Sequence, residues 1–151
     1  PSVRLQELTD GSKNVTITVT NDIDNTITNN VSFFVKRTPP VINNISLNWG
    51  EILNFNESEI DGSLSIITSN IENGQMVTAI LDASNYSSTI YDNSSVIIVS
   101  KEKLRLLNQD TSYNILINSN DLANNSVSKV SNYFIVNKIL PEIELITFSW
   151  N

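Results

Sequence analysis

Leu8 to Trp49 reads LTDGSKNVTITVTNDIDNTITNNVSFFVKRTPPVINNISLNW, and the phrase returns as LNQDTSYNILINSNDLANNSVSKVSNYFIVNKILPEIELITFSW from Leu107 to Trp150. Asp10 falls on Asp110, Val15 on Ile115, Ile17 on Ile117, Asn25 on Asn125, Phe33 on Phe134, Val35 on Val136, Pro40 on Pro141 and Trp49 on Trp150. One residue is inserted between Asn125 and Phe134. A period of about 100 residues is too long for a solenoid repeat and suits a whole sandwich domain. This frame predicts the last strands of one unit at 1–38, a complete unit at 39–138 and the first strand of a further unit at 139–151.

Within the complete unit, apolar residues alternate in short runs set apart by Asn, Asp, Ser and Gly, which is the periodicity of strands. Strands are expected near 41–47, 63–69, 76–82, 86–91, 95–99, 112–119 and 131–136. Seven strands at roughly ten-residue spacing predict an all-β chain, an immunoglobulin-like Greek-key β-sandwich in tandem repeat. Ser100 to Leu107, SKEKLRLL, opens on a capping-type Ser and predicts one helical turn between strands. Asn73-Gly74 marks a tight turn. The alternating positions expected in the core are Ile45, Leu47, Leu64, Ile66, Val77, Ile80, Val96, Ile98, Leu104, Tyr113, Ile115, Ile117, Phe134 and Val136. Between units, KRTPPV (Lys36 to Val41) carries two prolines and predicts a short stiff joint, while its counterpart NKILPE has one.

Composition agrees. Roughly one residue in seven is Asn, with Ser, Thr and Ile frequent, so strands and polar turns are well supplied. A 40% hydrophobic content can fill the core of a unit of this size. The formal charge of −7 argues against nucleic acid and anionic membrane, and leaves calcium or a basic partner open. No apolar run is long enough to insert in a membrane. Without Cys or His the chain has no thiolate metal site, no thiol nucleophile and no imidazole base.

Taken in order, LNWGEILNFNESEIDGSLSIITSNIENGQMVTAILDASNY, LRLLNQDTSYNILINSNDLANN and FIVNKILP resemble the bacterial Ig-like repeats of giant, often RTX-type, surface adhesins. The resemblance covers nearly the whole chain. It implies a non-catalytic spacer at the bacterial cell surface or in the secreted space, whose partners are neighbouring repeats of the same chain. A distal domain would then bind a host or surface ligand that this stretch does not specify. Such families often hold calcium at the joints through a turn Asp and a linker Asp. Here the turn carries Asn21 in one copy and Asp121 in the other, and Lys36-Arg37 and Asn137-Lys138 stand where the linker Asp belongs. The alternatives are an Ig-like module that itself contacts glycan or protein, with Tyr86 and Tyr91 as its aromatic candidates, and a surface decoration domain of a phage or other particle.

Four carboxylates are the candidate calcium ligands. Glu57, Glu59 and Asp61 alternate along NESEID, so an extended loop would point them the same way, and Asp121 sits in the repeated turn. Glu57 with Asp61 is also the one pair that suggests glycoside hydrolysis, but no phosphate loop or nucleophile elbow accompanies it, and no enzymatic activity and no cofactor are expected. Trp49 invites a sugar-stacking role, against which its recurrence at Trp150 points to packing near a sheet end.

Overall fold

A computed structural model describes residues 7–147, so the expected recurrence of Trp49 at Trp150 lies outside the described residues. β1 (Gly11–Thr20) and β2 (Thr26–Val35) form an antiparallel two-stranded sheet of their own. The other strands build a sandwich. One sheet is β3 (Val41–Leu47), β5 (Gly62–Ser69) and β8 (Ser94–Val99), with β5 in the middle. Facing it, β11 (Ser126–Val130), β10 (Leu116–Asn120), β6 (Met76–Leu81) and β7 (Ser84–Thr89) lie in that order. The chain leaves β5, makes the β6–β7 hairpin in the second sheet and returns as β8 beside β5, which is the Greek-key crossing.

Both of the last two expected strands are interrupted. The 112–119 stretch divides into β9 (Ser112–Tyr113) and β10, and the 131–136 strand begins only at Phe134, as β12 (Phe134–Asn137), with β11 before it at positions where no strand is expected. At the break, Ser131 N donates to Ile115 O, and Ser131 Oγ accepts from Ile115 N, both at 2.9 Å. This step absorbs the extra residue of the second copy, since β2 runs unbroken to Val35 over the equivalent stretch. β12 then pairs in parallel with β4 (Ile52–Asn54), a strand the sequence pattern does not announce. A single turn, α1 (Phe55–Ser58), follows, closed by a reciprocal capping box in which Asn54 Oδ1 accepts from Glu57 N and Glu57 Oε2 from Asn54 N. The expected crossing turn is α2 (Lys101–Leu106). Gly74, at φ +89°, occupies the Asn73-Gly74 turn in a backbone region that a Cβ would strain.

The core joins Ile42, Trp49, Leu53, Leu64, Ile66, Val77, Leu81, Ile97, Val99, Leu104, Ile115, Ile117, Phe134 and Val136. Ile45, Leu47 and Tyr113 pack against its margin. Three expected core residues are on the wrong face, and two of them lie in β8: Val96 and Ile98 are 51% and 55% exposed, while Ile97 and Val99 point inward. The run Val96-Ile97-Ile98-Val99 has no polar residue to set its phase, and a one-residue choice reverses the whole strand. Ile80 is half-buried on the outer face of β6, where Val77, Ala79 and Leu81 take the interior.

The hairpin β1–β2 repeats the hairpin β10–β11 in detail. Pairs Thr16↔Asn30 through Thr20↔Thr26 have the register of Leu116↔Val130 through Asn120↔Ser126, each shifted by 100 positions. In the turns, Asn21 N donates to Asn25 O and Asp121 N to Asn125 O, both at 3.0 Å. Asn21 Oδ1 accepts from the N–H groups of Ile23 and Asn25, as Asp121 Oδ1 does from Ala123 and Asn125. Asp24 and Asn124 take the left-handed backbone at φ 64° and 65°. Over this shared stretch it is the surroundings that differ. Ile115 and Ile117 are fully buried, whereas Val15 and Ile17 are 46% and 53% exposed.

Candidate functional site

Each of the four candidate calcium ligands is bonded to a group of the protein. Glu57 closes the α1 capping box. Glu59 forms a two-pronged pair with Arg105, Nε donating to Oε1 at 3.0 Å and Nη2 to Oε2. The Arg105 hydrogen bond outweighs the cost of partial desolvation and holds the Glu59 carboxyl below its ordinary range. Asp61 Oδ1 accepts from Lys101 N at 2.9 Å, satisfying the first free N–H of α2. Asp121 is buried and spends its oxygens on Ala123 N, Asn125 N and Asn125 Nδ2. Glu57, Glu59 and Asp61 precede the start of β5, and the Asp121 turn lies beside Glu72, just past the end of β5. An eight-residue strand spans roughly 26 Å, ten times a calcium–oxygen bond, so these groups cannot share an ion. Among the described residues no group of three or more Asp, Glu, His or Cys is placed to hold a metal.

Trp49 is 4% exposed, so neither ring face is open to a sugar. Its ring meets Phe134 edge-on at a centroid distance of 5.5 Å and lies over Gly62, where a Cβ would come within 2.3 Å of the indole. Tyr91 is exposed, Tyr86 packs against the core, and the two form no aromatic patch.

A polar constellation that residue spacing alone does not reveal lies at the joint after β2. Lys36 leaves the end of β2 and buries its ammonium, its side chain only 9% exposed. Nζ donates to Asn70 O at 2.6 Å and forms an ion pair with Glu72 Oε1. The second oxygen of Glu72 accepts from Leu122 N at 2.9 Å. Asn125 Nδ2 donates to Lys36 O at 3.4 Å and to Asp121 Oδ2 at 2.9 Å, and Asn70 Nδ2 donates to Pro39 O at 3.1 Å. Two segments distant in sequence, the loop after β5 and the β10–β11 turn, thereby close on the linker at residues 36–39. Burial raises the Glu72 pKa, but the bonds from Lys36 and Leu122 more than compensate, and the carboxyl stays below its ordinary value. On the other side of the joint, Asp10 Oδ1 accepts from Arg37 N, and Oδ2 from Thr38 N and Thr38 Oγ1. Those bonds, led by the Arg37 N–H, lower the Asp10 pKa.

The linker after β12 is built otherwise. Lys138, equivalent to Arg37, donates from Nζ to Arg105 O and Leu107 O at 2.7 Å each, covering the end of α2. One contact recurs in both joints: Arg37 Nη1 reaches Leu8 O at 3.5 Å, as Lys138 Nζ reaches the matching Leu107 O.

Among the described residues no helix is long and apolar enough to cross a membrane. No protein-family model matches the chain, and no curated protein does either. Among solved structures, the chain is similar to a Ca2+-stabilized adhesin with which an Antarctic bacterium binds ice, at 18% identity and a TM-score of 0.48, over 85% of this chain and 32% of that one. A 1.5-MDa bacterial ice-binding adhesin gives the same identity and TM-score over 85% of this chain and 42% of its own. The chain thus spans a third to two fifths of the length of these two structures. A bacterial immunoglobulin-like domain from the M. primoryensis ice-binding adhesin matches at 20% identity and a TM-score of 0.45, over 62% of this chain and 95% of the domain.

Proposed function

We propose that this chain is a stretch of a tandem array of immunoglobulin-like units serving as an extracellular spacer in a large bacterial surface or secreted adhesin. On this reading residues 39–138 are its complete unit and 1–38 carry the last strands of the unit before, while 139–151 would supply the first strand of the unit after, although 139–147 form no strand here. The observation that carries this reading is the duplicated hairpin. β1–β2 matches β10–β11 in register and turn bonding, yet presents Val15, Ile17, Val19, Ile27, Val31 and Phe33 to solvent from one face. Such a face on a two-stranded ribbon calls for a covering sheet. The sheet β3–β5–β8 covers the equivalent face of β10–β11, and a preceding unit would supply the same cover.

The spacer role is favoured by what the side chains do. The four candidate carboxylates are used within the fold and Trp49 is sealed in the core, so the unit's chemistry goes into holding its own shape. The bacterial-adhesin setting is what the sequence resemblance implies. Hydrogen exchange across the whole chain tests the frame: amides of 39–138 should exchange slowly, those of β1 and β2 fast, and the isolated 39–138 segment should melt within a few degrees of the parent. Even, strong protection over β1, β2 and the sandwich in a monomer would mean that the chain folds as one unit, and the array reading would fall.

A further inference from the structure

Resting on the reading of residues 36–40 as a joint between consecutive units, we infer that this joint is closed by the protein's own Lys36 ammonium in place of a dissolved cation, and that its stiffness is independent of calcium. The oxygens gathered there are of the kind a hard cation takes: the backbone carbonyl of Asn70 and a carboxylate oxygen of Glu72. The ammonium sits between them, and any further cation in that space would meet a buried positive charge. The remaining carboxylates near the joint offer no substitute. Glu72 Oε2 is taken by Leu122 N, Asp121 by the N–H groups of its own turn, and Asp10 by Arg37 and Thr38. These residues therefore do not fit a calcium ion.

A tethered charge differs from a bound ion in one functional respect. Its local concentration does not depend on the medium, so the angle between units is fixed during folding and not by the ion content of the surroundings. Asn70, Glu72, Leu122 and Asn125 belong to the sandwich, and Lys36 directly follows β2, so the contact defines the surface on which one unit receives its predecessor.

The test compares the whole chain with Lys36→Met and Glu72→Gln variants, using backbone relaxation and amide exchange, with calcium and with chelator. In the parent chain, Arg37 and Thr38 should show order parameters near those of the sandwich strands, about 0.85, in both media. Lys36→Met should lower them toward about 0.6 and speed Leu122 exchange on the order of tenfold, with strands β3 to β12 still folded. Glu72→Gln should loosen Arg37 and Thr38 while leaving Leu122 protected, because the amide oxygen still accepts its N–H. The inference is overturned if Lys36→Met leaves all of these values unchanged, or if the parent joint becomes ordered only when calcium is added. Failure of the array reading would show elsewhere, as strong exchange protection throughout β1 and β2, and would not alter these readouts.

Discussion

The hairpins β1–β2 and β10–β11 have the same register and the same turn, and they differ in what lies over them. Local chemistry, an Asn or Asp accepting two N–H groups beside a left-handed residue, is enough to set the turn in either place. It does not confer stability. A strand pair draws that from the second sheet, which removes Ile115 and Ile117 from water and leaves Val15 and Ile17 wet. The comparison separates what a hairpin owes to its own sequence from what it owes to its cover.

Matched truncations give the largest expected contrast. Ile117→Ala empties a fully buried site and should cost about 2–5 kcal/mol of sandwich stability. Ile17→Ala, at the equivalent but half-exposed position, should change it by less than about 0.5 kcal/mol. Urea unfolding of the two variants measures both, and equal losses would mean that β1–β2 is covered as well as its counterpart.

A second contrast concerns Trp49, which the repeat frame marks and the structure buries. Gly62→Ala would set a methyl group 2.3 Å from the indole and 3.0 Å from Leu104 Cδ1, so strand or ring must shift, at a cost of about 1–3 kcal/mol. At Gly11, in the uncovered hairpin, an added Cβ would meet nothing within 4 Å, and the substitution carries only the strain of a φ of +118°. If calorimetry finds Gly62→Ala neutral, the close Trp49–Gly62 packing is wrong.

Third come the two turns themselves. Asp121→Ala removes a buried acceptor and strands two N–H groups, at a cost of about 1.5 kcal/mol. Asn21→Ala leaves its N–H groups to water and should be near neutral for the sandwich. Thermal melts that fall equally for both substitutions would erase the distinction between a covered and an uncovered turn.

What the sequence discloses follows the same division. Alternating β5 is legible because Ser63 and Ser65 set the phase of Leu64 and Ile66. Unbroken apolar β8 is not, and for want of a polar marker Val96 and Ile98 pass for its inward face. Asn54 and Glu57, three apart, carry a readable capping signal for α1, but NESEID draws notice for its charge alone. The acidic cluster looks like a site only if its alternation means an extended loop; α1 turns the residues to different partners. The joint is half legible. Lys36 stands out where a linker Asp is expected, but its partner Glu72 lies 36 residues away in a loop marked only by its Asn-Gly turn, and no local pattern connects them.

The smallest effect expected is on acidification, and it sharpens the contrast between the two joints. Glu72 has a folded pKa below its ordinary value of 4.5, because the bonds from Lys36 and Leu122 outweigh the opposing effect of burial. A group shifted this way stabilises the folded state fully above its unfolded pKa, and the contribution is lost as pH falls through the folded pKa. Asp10, held down first by the Arg37 N–H, has the same sign, discounted for its exposure. In the later joint the linker N–H is held by an amide and not by a carboxylate: Lys138 N donates to the Gln109 amide oxygen at 2.7 Å, Gln109 Nε2 donates in turn to Asp110, and Lys138 Nζ donates to the carbonyls of Arg105 and Leu107. Between about pH 6 and about pH 3, exchange protection corrected for the intrinsic rate should therefore fall at Leu122 and hold at Lys138. In Glu72→Gln, Leu122 should lose this response while keeping its bond to the amide oxygen. A parallel loss at both amides would point to general acid unfolding, and no loss at Leu122 would mean that the Glu72 carboxylate does not hold the joint.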